Sequence, residues 1–187
     1  MRIIGGSRRG TVLADIGAGD PAAHLRPTSD RVREAIFNLL INGTHGNPVP
    51  GAAVLDLFAG TGALGLEALS RGAVSVTFVD DGAKALALLR ANIAKLRVEG
   101  DTRILRQDAR RLPPNPGAPH GLVFLDPPYG KAMGEVALTT AAAAGWLAPG
   151  AMIVWEEATP PIPPPGFAQI DQRRYGDTVV TLLRWPG

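Results

Sequence analysis

The chain has 187 residues, 45% of them apolar and 19% charged, with no cysteine and a formal net charge of +2. That length holds one main domain with an appendage and is short for two full domains, and the composition is that of a soluble globular protein. The lack of cysteine excludes disulfides and thiolate metal centres; no metal is expected, and the start, Met1 to Arg9, lacks the apolar core of a secretory signal, so the expected location is the cytoplasm.

The charge is unevenly placed. Residues 1–34 carry six arginines against four acids, and the rest of the chain carries 13 basic and 13 acidic side chains, so the whole excess sits in the amino-terminal arm. Arginine suits bidentate contact with phosphate, although a basic stretch taken alone is more often a solvated face.

In chain order, residues 1–27 alternate short apolar pairs with Gly and Arg, and Thr11-Val12-Leu13 fits one arm of a small hairpin or an extended strap. Arg26-Pro27-Thr28-Ser29-Asp30 sets a turn with several N-cap candidates. Val32, Ala35, Ile36, Leu39 and Leu40 then recur at helical spacing, predicting an amphipathic helix with Arg31 and Arg33 near its start and off the apolar stripe. Gly43 to Gly51, with Pro48 and Pro50, reads as a linker. The expected division is a basic arm and helix over 1–45 and a main domain over 46–187.

From Ala52 the chain alternates apolar strands with helical segments. Strands are predicted at 52–58, 74–80, 102–106 and 121–126, with helices at 63–71 and 83–98, the latter carrying Leu86, Leu89, Ile93 and Leu96 on one side. A helix near 132–145 and a strand near 150–156 continue the pattern until the cluster Pro160 to Pro165 breaks it. The tail reads as two strands, Phe167 to Tyr175 and Thr178 to Trp185, joined through Gly176-Asp177. The expectation is an α/β fold: a doubly wound, Rossmann-like, seven-stranded and mostly parallel sheet with an antiparallel C-terminal hairpin, plus a small N-terminal arm and helix. Val136 to Trp155 is uncharged and long enough to cross a bilayer, but Thr139, Thr140, Gly145, Pro149 and Gly150 predict helix, turn and buried strand instead.

Two stretches carry chemistry. In Val54-Leu55-Asp56-Leu57-Phe58-Ala59-Gly60-Thr61-Gly62-Ala63-Leu64-Gly65, a strand meets a glycine turn and a helix; Gly60, Gly62 and Gly65 obey G-x-G-x-x-G, and Asp80 ends the next strand where an acid grips a ribose diol. Asp56 sets this loop apart from a dinucleotide site, since an anion there repels a pyrophosphate and suits the ammonium of S-adenosylmethionine. Asp108, at the end of the third strand, can accept from an adenine amino group. Phe58, Thr61 and Ala109, set among these residues, complete the expected cofactor set. The second stretch is Asp126-Pro127-Pro128-Tyr129, which follows the apolar run Leu122-Val123-Phe124-Leu125. Two prolines stop the strand and leave a carboxylate, a rigid carbonyl-bearing turn and an aromatic ring at its carboxyl end, the ligand-binding edge of an open α/β sheet. Acids at 56, 80, 108 and 126 would then end four successive parallel strands.

Asp56 to Gly62 together with Asp126 to Tyr129 resemble the class I S-adenosylmethionine-dependent methyltransferases that act on exocyclic amines. More narrowly, Arg2-Ile3-Ile4-Gly5-Gly6, Arg26-Pro27-Thr28-Ser29-Asp30-Arg31-Val32-Arg33-Glu34 and Gly65-Leu66-Glu67-Ala68-Leu69-Ser70-Arg71-Gly72-Ala73 resemble the RsmD family. One departure is Asp80, one methylene shorter than the Glu the family often has there. The resemblance implies methylation of N2 of a guanine in 16S ribosomal RNA, guanine 966 in the standard 16S count, in an assembled or assembling 30S subunit. It also implies that Asp126 and the Pro127 carbonyl hold the acceptor amine in the Asp126-Pro127-Pro128-Tyr129 turn, with Tyr129 stacked on the base. Arg8, Arg9, Arg26, Thr28, Arg31 and Arg33 are the expected RNA contacts. Rival readings are a methyltransferase for adenine N6 or another exocyclic amine in DNA or RNA, or for a protein glutamine; a nicotinamide-dependent oxidoreductase; and a non-catalytic RNA-binding module.

Overall fold

Seven strands order themselves as β3-β2-β1-β4-β5-β7-β6 in the computed structural model, which describes residues 1–14 and 29–187. They are β1 (Ala53–Leu57), β2 (Ser75–Asp80), β3 (Thr102–Arg106), β4 (His120–Leu125), β5 (Leu147–Glu157), β6 (Ala168–Tyr175) and β7 (Thr178–Arg184), with helices α1 (Asp30–Asn42), α2 (Ala63–Ser70), α3 (Ala83–Leu96) and α4 (Met133–Ala143). The first five strands pair in parallel, and β7 runs antiparallel to both β5 and β6. The fold expectation therefore holds, with one refinement: the hairpin does not hang from the edge through its first strand, because β7 inserts between β5 and β6. Among the described residues no helix is long and apolar enough to cross a membrane.

The central parallel strands β1, β2 and β4 are largely apolar and buried because both faces are covered, while the edge strand β3 is only partly buried. On one face α2 and α3 pack with α1 and the arm: Leu66, Leu69, Leu86, Leu89, Ile36, Phe37 and Ile3 join Val54, Phe78 and Phe124 in one core. On the other, α4 with Trp146 and Leu112 covers Leu55, Val79, Val123 and Ile153. The described part of residues 1–45 thus shares a core with the sheet.

Residues 1–13 form the small hairpin. Arg2 bridges Val12, the Ile3 N–H donates to the Thr11 carbonyl at 2.9 Å, and the Leu13 N–H donates to Met1 at 3.0 Å. Of the N-cap candidates for α1, the structure uses Ser29, whose hydroxyl accepts the Val32 N–H at 3.2 Å. The buried stripe of α1 is Arg33, Ile36, Phe37 and Leu40. This corrects the expectation for Arg33, which lies within the stripe and is fully buried rather than solvated beside it.

Candidate active site

Sheet order reverses between β1 and β4: the chain winds outward through β2 to β3, then crosses back to β4. Such a switch point opens a crevice beyond the carboxyl ends of the two strands. The register Leu57↔Leu125 brings the residues after β1 and β4 side by side there, and the Asp126 N–H reaches the Leu57 carbonyl at 3.4 Å. The four acids follow the order of the sheet: Asp80 and Asp56 lie on β2 and β1, Asp126 directly follows β4, and Asp108 comes two residues after β3.

The loop after β1 is wound tightly. Phe58, Gly60 and Gly62 have φ of 59°, 56° and 79°, so every second residue lies in the left-handed region, and Phe58 does so with a side chain. A non-glycine residue held there costs about 1–3 kcal/mol and persists where its surroundings over-determine it. Asp80 supplies part of that support, taking the Gly60 N–H on Oδ2 and the Gly82 N–H on Oδ1, both at 2.8 Å. Burial still raises its carboxyl above the ordinary value, with the two N–H donors opposing the shift. Gly65 lets α2 approach the sheet, since a Cβ there would lie 2.5 Å from Phe78 Cε1 and 3.0 Å from Asp56 Oδ2.

Asp56 is 1% exposed and accepts the Gly65 N–H at 3.0 Å. Burial, which one N–H only partly offsets, pushes its carboxyl up to about 8. Asp108 differs from expectation in position. It stands two residues beyond β3, caps a single 3-10 turn at Ala109–Arg111, and is gripped by Arg110, whose Nη2 lies 2.7 Å from Oδ2. That guanidinium holds its carboxyl below the usual value. Ala109 is buried.

After β4, Pro127 is buried and Asp126, Pro128 and Tyr129 are half-buried. The Tyr129 hydroxyl donates to Glu156 Oε1 at 2.9 Å, and burial with that carboxylate raises the phenol's pKa. Of the expected RNA contacts, Arg9 and Arg31 are exposed, whereas Arg8 is half-buried with its Nε donating to the Leu96 carbonyl at 3.1 Å. Arg33 donates to the Arg2 carbonyl and to Asp30 and lies against Glu67, so it is not presented to a ligand. Arg26 and Thr28 lie outside the described residues.

Two supporting residues escaped the sequence reading. Glu67, wholly buried in α2, accepts the Ile4 and Gly5 N–H groups, each at 2.8 Å, and the Arg71 Nε at 2.7 Å. Asn92, wholly buried in α3, donates to the Thr61 carbonyl at 2.9 Å and exchanges two bonds with Ala14. It therefore ties the arm to the glycine loop. Its signal was present: Leu89, Asn92, Ile93 and Leu96 follow helical spacing, with one polar member on an apolar stripe.

The strand order, the glycine loop and the acidic strand ends define a class I methyltransferase fold. Comparison with known proteins agrees. The model of the family described as "Conserved hypothetical protein 95" matches residues 1–184. Ribosomal RNA small subunit methyltransferase D of Escherichia coli K12 is 39% identical over 156 residues, covering 83% of this chain and 74% of that protein. The protein of the same name from Haemophilus influenzae is 34% identical over 183 residues, covering 94% and 89%. Among solved structures, Escherichia coli yhhF, assigned as a presumed methyltransferase, superposes with a TM-score of 0.83 at 35% identity over 100% of this chain and 98% of that one. The chain belongs to the RsmD family, that of ribosomal RNA small subunit methyltransferase D. Its cofactor is S-adenosylmethionine, and the donor set fits that group: a buried carboxylate under the glycine loop suits a cation and disfavours the pyrophosphate of a dinucleotide.

Proposed function

We propose that this protein methylates the exocyclic N2 of a guanine in 16S ribosomal RNA, guanine 966 in the standard count, within an assembled or assembling 30S subunit in the cytoplasm. The observation that carries this reading is the Asp126-Pro127-Pro128-Tyr129 turn at the switch point, across from the glycine loop. The printed names of the relatives, which are ribosomal RNA small subunit methyltransferases, support the RNA class.

S-adenosylmethionine supplies an electrophilic methyl group on a sulfonium. Asp56 would hold its ammonium directly or through water, Asp80 its ribose hydroxyls through the lone pairs left by Gly60 and Gly82, and Asp108 with Ala109 its adenine edge, while Phe58, Gly60, Thr61 and Gly62 would form the floor. An amine conjugated to a purine is a poor nucleophile because its lone pair is delocalised into the ring. Asp126 and the Pro127 carbonyl each accept one N–H and draw the nitrogen toward tetrahedral geometry; with the cofactor bound, the N–C bond would form as the sulfonium's S–C bond breaks to a neutral thioether, and the proton then in excess on the nitrogen would pass to water. Positioning of this kind is worth up to about 7–11 kcal/mol. Tyr129 stacks on the base, which must be extruded or already unpaired to reach the pocket. Arg9 and Arg31 approach the RNA backbone, Arg8 adds charge beside them, and Arg26 and Thr28 join on the strength of the sequence.

The test is incubation with methyl-labelled cofactor and either naked 16S RNA or small subunits lacking the modification, followed by mapping of the labelled nucleoside. Label on guanine N2 is the expected result. Label on adenine N6 or on protein, or none, overturns it.

A further inference from the structure

Two consecutive glutamates end β5, the first charges after the uncharged run from Val136 to Trp155, and both reach toward the turn after β4. Glu156 is 5% exposed, and its Oε1 lies 2.9 Å from the Tyr129 hydroxyl. Thr178, which opens β7, places its own hydroxyl 3.4 Å from the same phenol oxygen. Glu157 accepts the Gly130 N–H at 3.1 Å. The register Glu156↔Val180 sets β5 and β7 side by side behind Tyr129. This support comes from other strands for a physical reason: Pro127 and Pro128 have no N–H, so the turn cannot be fastened there by backbone bonds of its own. A buried carboxylate is retained only when it is hydrogen-bonded. The raised pKa of Tyr129 keeps its phenol a donor throughout the working range.

We propose that Glu156 is a positioning residue for methyl transfer, acting through Tyr129, whose ring it fixes by the phenol oxygen as a rigid wall beside Asp126, with Thr178 as second support. The inference rests on the reading of the Asp126 turn as the methyl-transfer centre. A tyrosine side chain turns about two bonds; holding its phenol oxygen fixes the direction of the ring axis, on which that oxygen lies, and because a phenol O–H prefers the ring plane its acceptor also biases the rotation of the ring about that axis. The position of the ring is thereby set relative to Asp126, while its hydroxyl is committed to β5 and β7. A base stacked on its face has its exocyclic nitrogen placed relative to Asp126 by the ring, and a misplacement of about 1 Å costs on the order of 10²-fold in rate.

The experiment compares wild type with Glu156→Ala, Glu156→Gln, Tyr129→Phe and the Glu156→Ala/Tyr129→Phe double variant, measuring kcat, both KM values and the melting temperature. Glu156→Ala removes the acceptor, Tyr129→Phe removes the donor but keeps the ring, and Glu156→Gln keeps an acceptor. The expected result is a fall in kcat of about 10- to 100-fold for Glu156→Ala and for Tyr129→Phe, with the cofactor KM little changed. Glu156→Gln should recover most of the loss, and the double variant should be no slower than the slower single, because both cut the same link. Full kcat in folded Tyr129→Phe, or losses that multiply in the double variant, overturns the proposal. If Glu156→Ala fails to fold, Tyr129→Phe and Glu156→Gln still decide it. A wild-type protein that methylates no RNA brings down the methyl-transfer reading itself, whereas an active wild type with equally active variants brings down only the role of Glu156.

Discussion

Arg33 Nε and Glu67 Oε2 meet at 3.6 Å with neither side chain exposed to solvent. The pair joins α1 to α2, and through Glu67 it reaches the backbone of the arm at Ile4 and Gly5. One of the arginines that makes the amino-terminal arm basic is thus spent on holding the arm down. A stacked cation supports the same junction, with the Arg71 guanidinium 4.9 Å from the centre of the Phe37 ring.

Glu67→Ala leaves the Ile4 and Gly5 N–H groups without their acceptor and Arg33 without its buried counter-charge on α2. Breaking a buried pair from one side costs about 3–5 kcal/mol. Urea unfolding should show a loss of that size. Asp30→Ala removes a partner whose side chain is 38% exposed, and it should cost about 1 kcal/mol or less.

Asp56 makes the apo protein's stability depend on pH in an unusual direction. With its folded carboxyl raised from 3.8 to about 8, the folded state holds a proton that the unfolded state has released, so stability falls as pH rises between about 4 and about 8. Asp56→Asn should flatten that slope and be the more stable protein above pH 8 in the absence of cofactor. A bound ammonium favours the ionised carboxylate, so cofactor binding below pH 8 should release a proton from the wild type but not from Asp56→Asn. Calorimetry in two buffers of different ionisation enthalpy reads both effects.

How much of this was legible in the sequence differs from residue to residue. The order of strands and helices, and the acids at 56, 80 and 126, followed from local rules: apolar runs ended by glycine or proline, and the habit of open sheets to bind at their carboxyl edge. Arg33 was misplaced because a stripe counted from apolar residues alone selects Val32, Ala35, Ile36, Leu39 and Leu40, whereas the buried set Arg33, Ile36, Phe37 and Leu40 has equally good helical spacing. What distinguishes the two is a partner on another helix, Glu67, which no local pattern contains. Glu156 was opaque for the same reason, since its meaning comes from Tyr129 and Thr178 on other segments.

Asp126→Ala should abolish methyl transfer with the melting temperature and cofactor affinity preserved, because the half-buried carboxylate sits outside both cores. Asp126→Asn keeps one acceptor oxygen and should retain a residual rate about 10²–10³-fold below wild type, the range found when one preorganised electrostatic partner is lost. Methyl-label transfer checks both, and near-normal turnover in Asp126→Ala removes the carboxylate from the mechanism.

Arg31 and Arg33 stand two residues apart on α1, yet they should behave oppositely. Arg31 is exposed, and a lysine or arginine that neutralises one phosphate contributes about one unit to the slope of log affinity against log salt. Arg31→Ala should therefore weaken RNA binding at low salt, lower that slope by about one, and leave urea unfolding within about 0.5 kcal/mol of wild type. Arg33 is fully buried between Asp30, the Arg2 carbonyl and Glu67, so Arg33→Ala should lower stability strongly and leave the salt slope of the folded fraction unchanged. Filter binding of 16S RNA from low to moderate salt, run beside urea melts of the same preparations, separates the two. A salt slope that drops for Arg33→Ala would mean that its guanidinium leaves Glu67 when RNA binds, and one that stays constant for Arg31→Ala would remove the start of α1 from the interface.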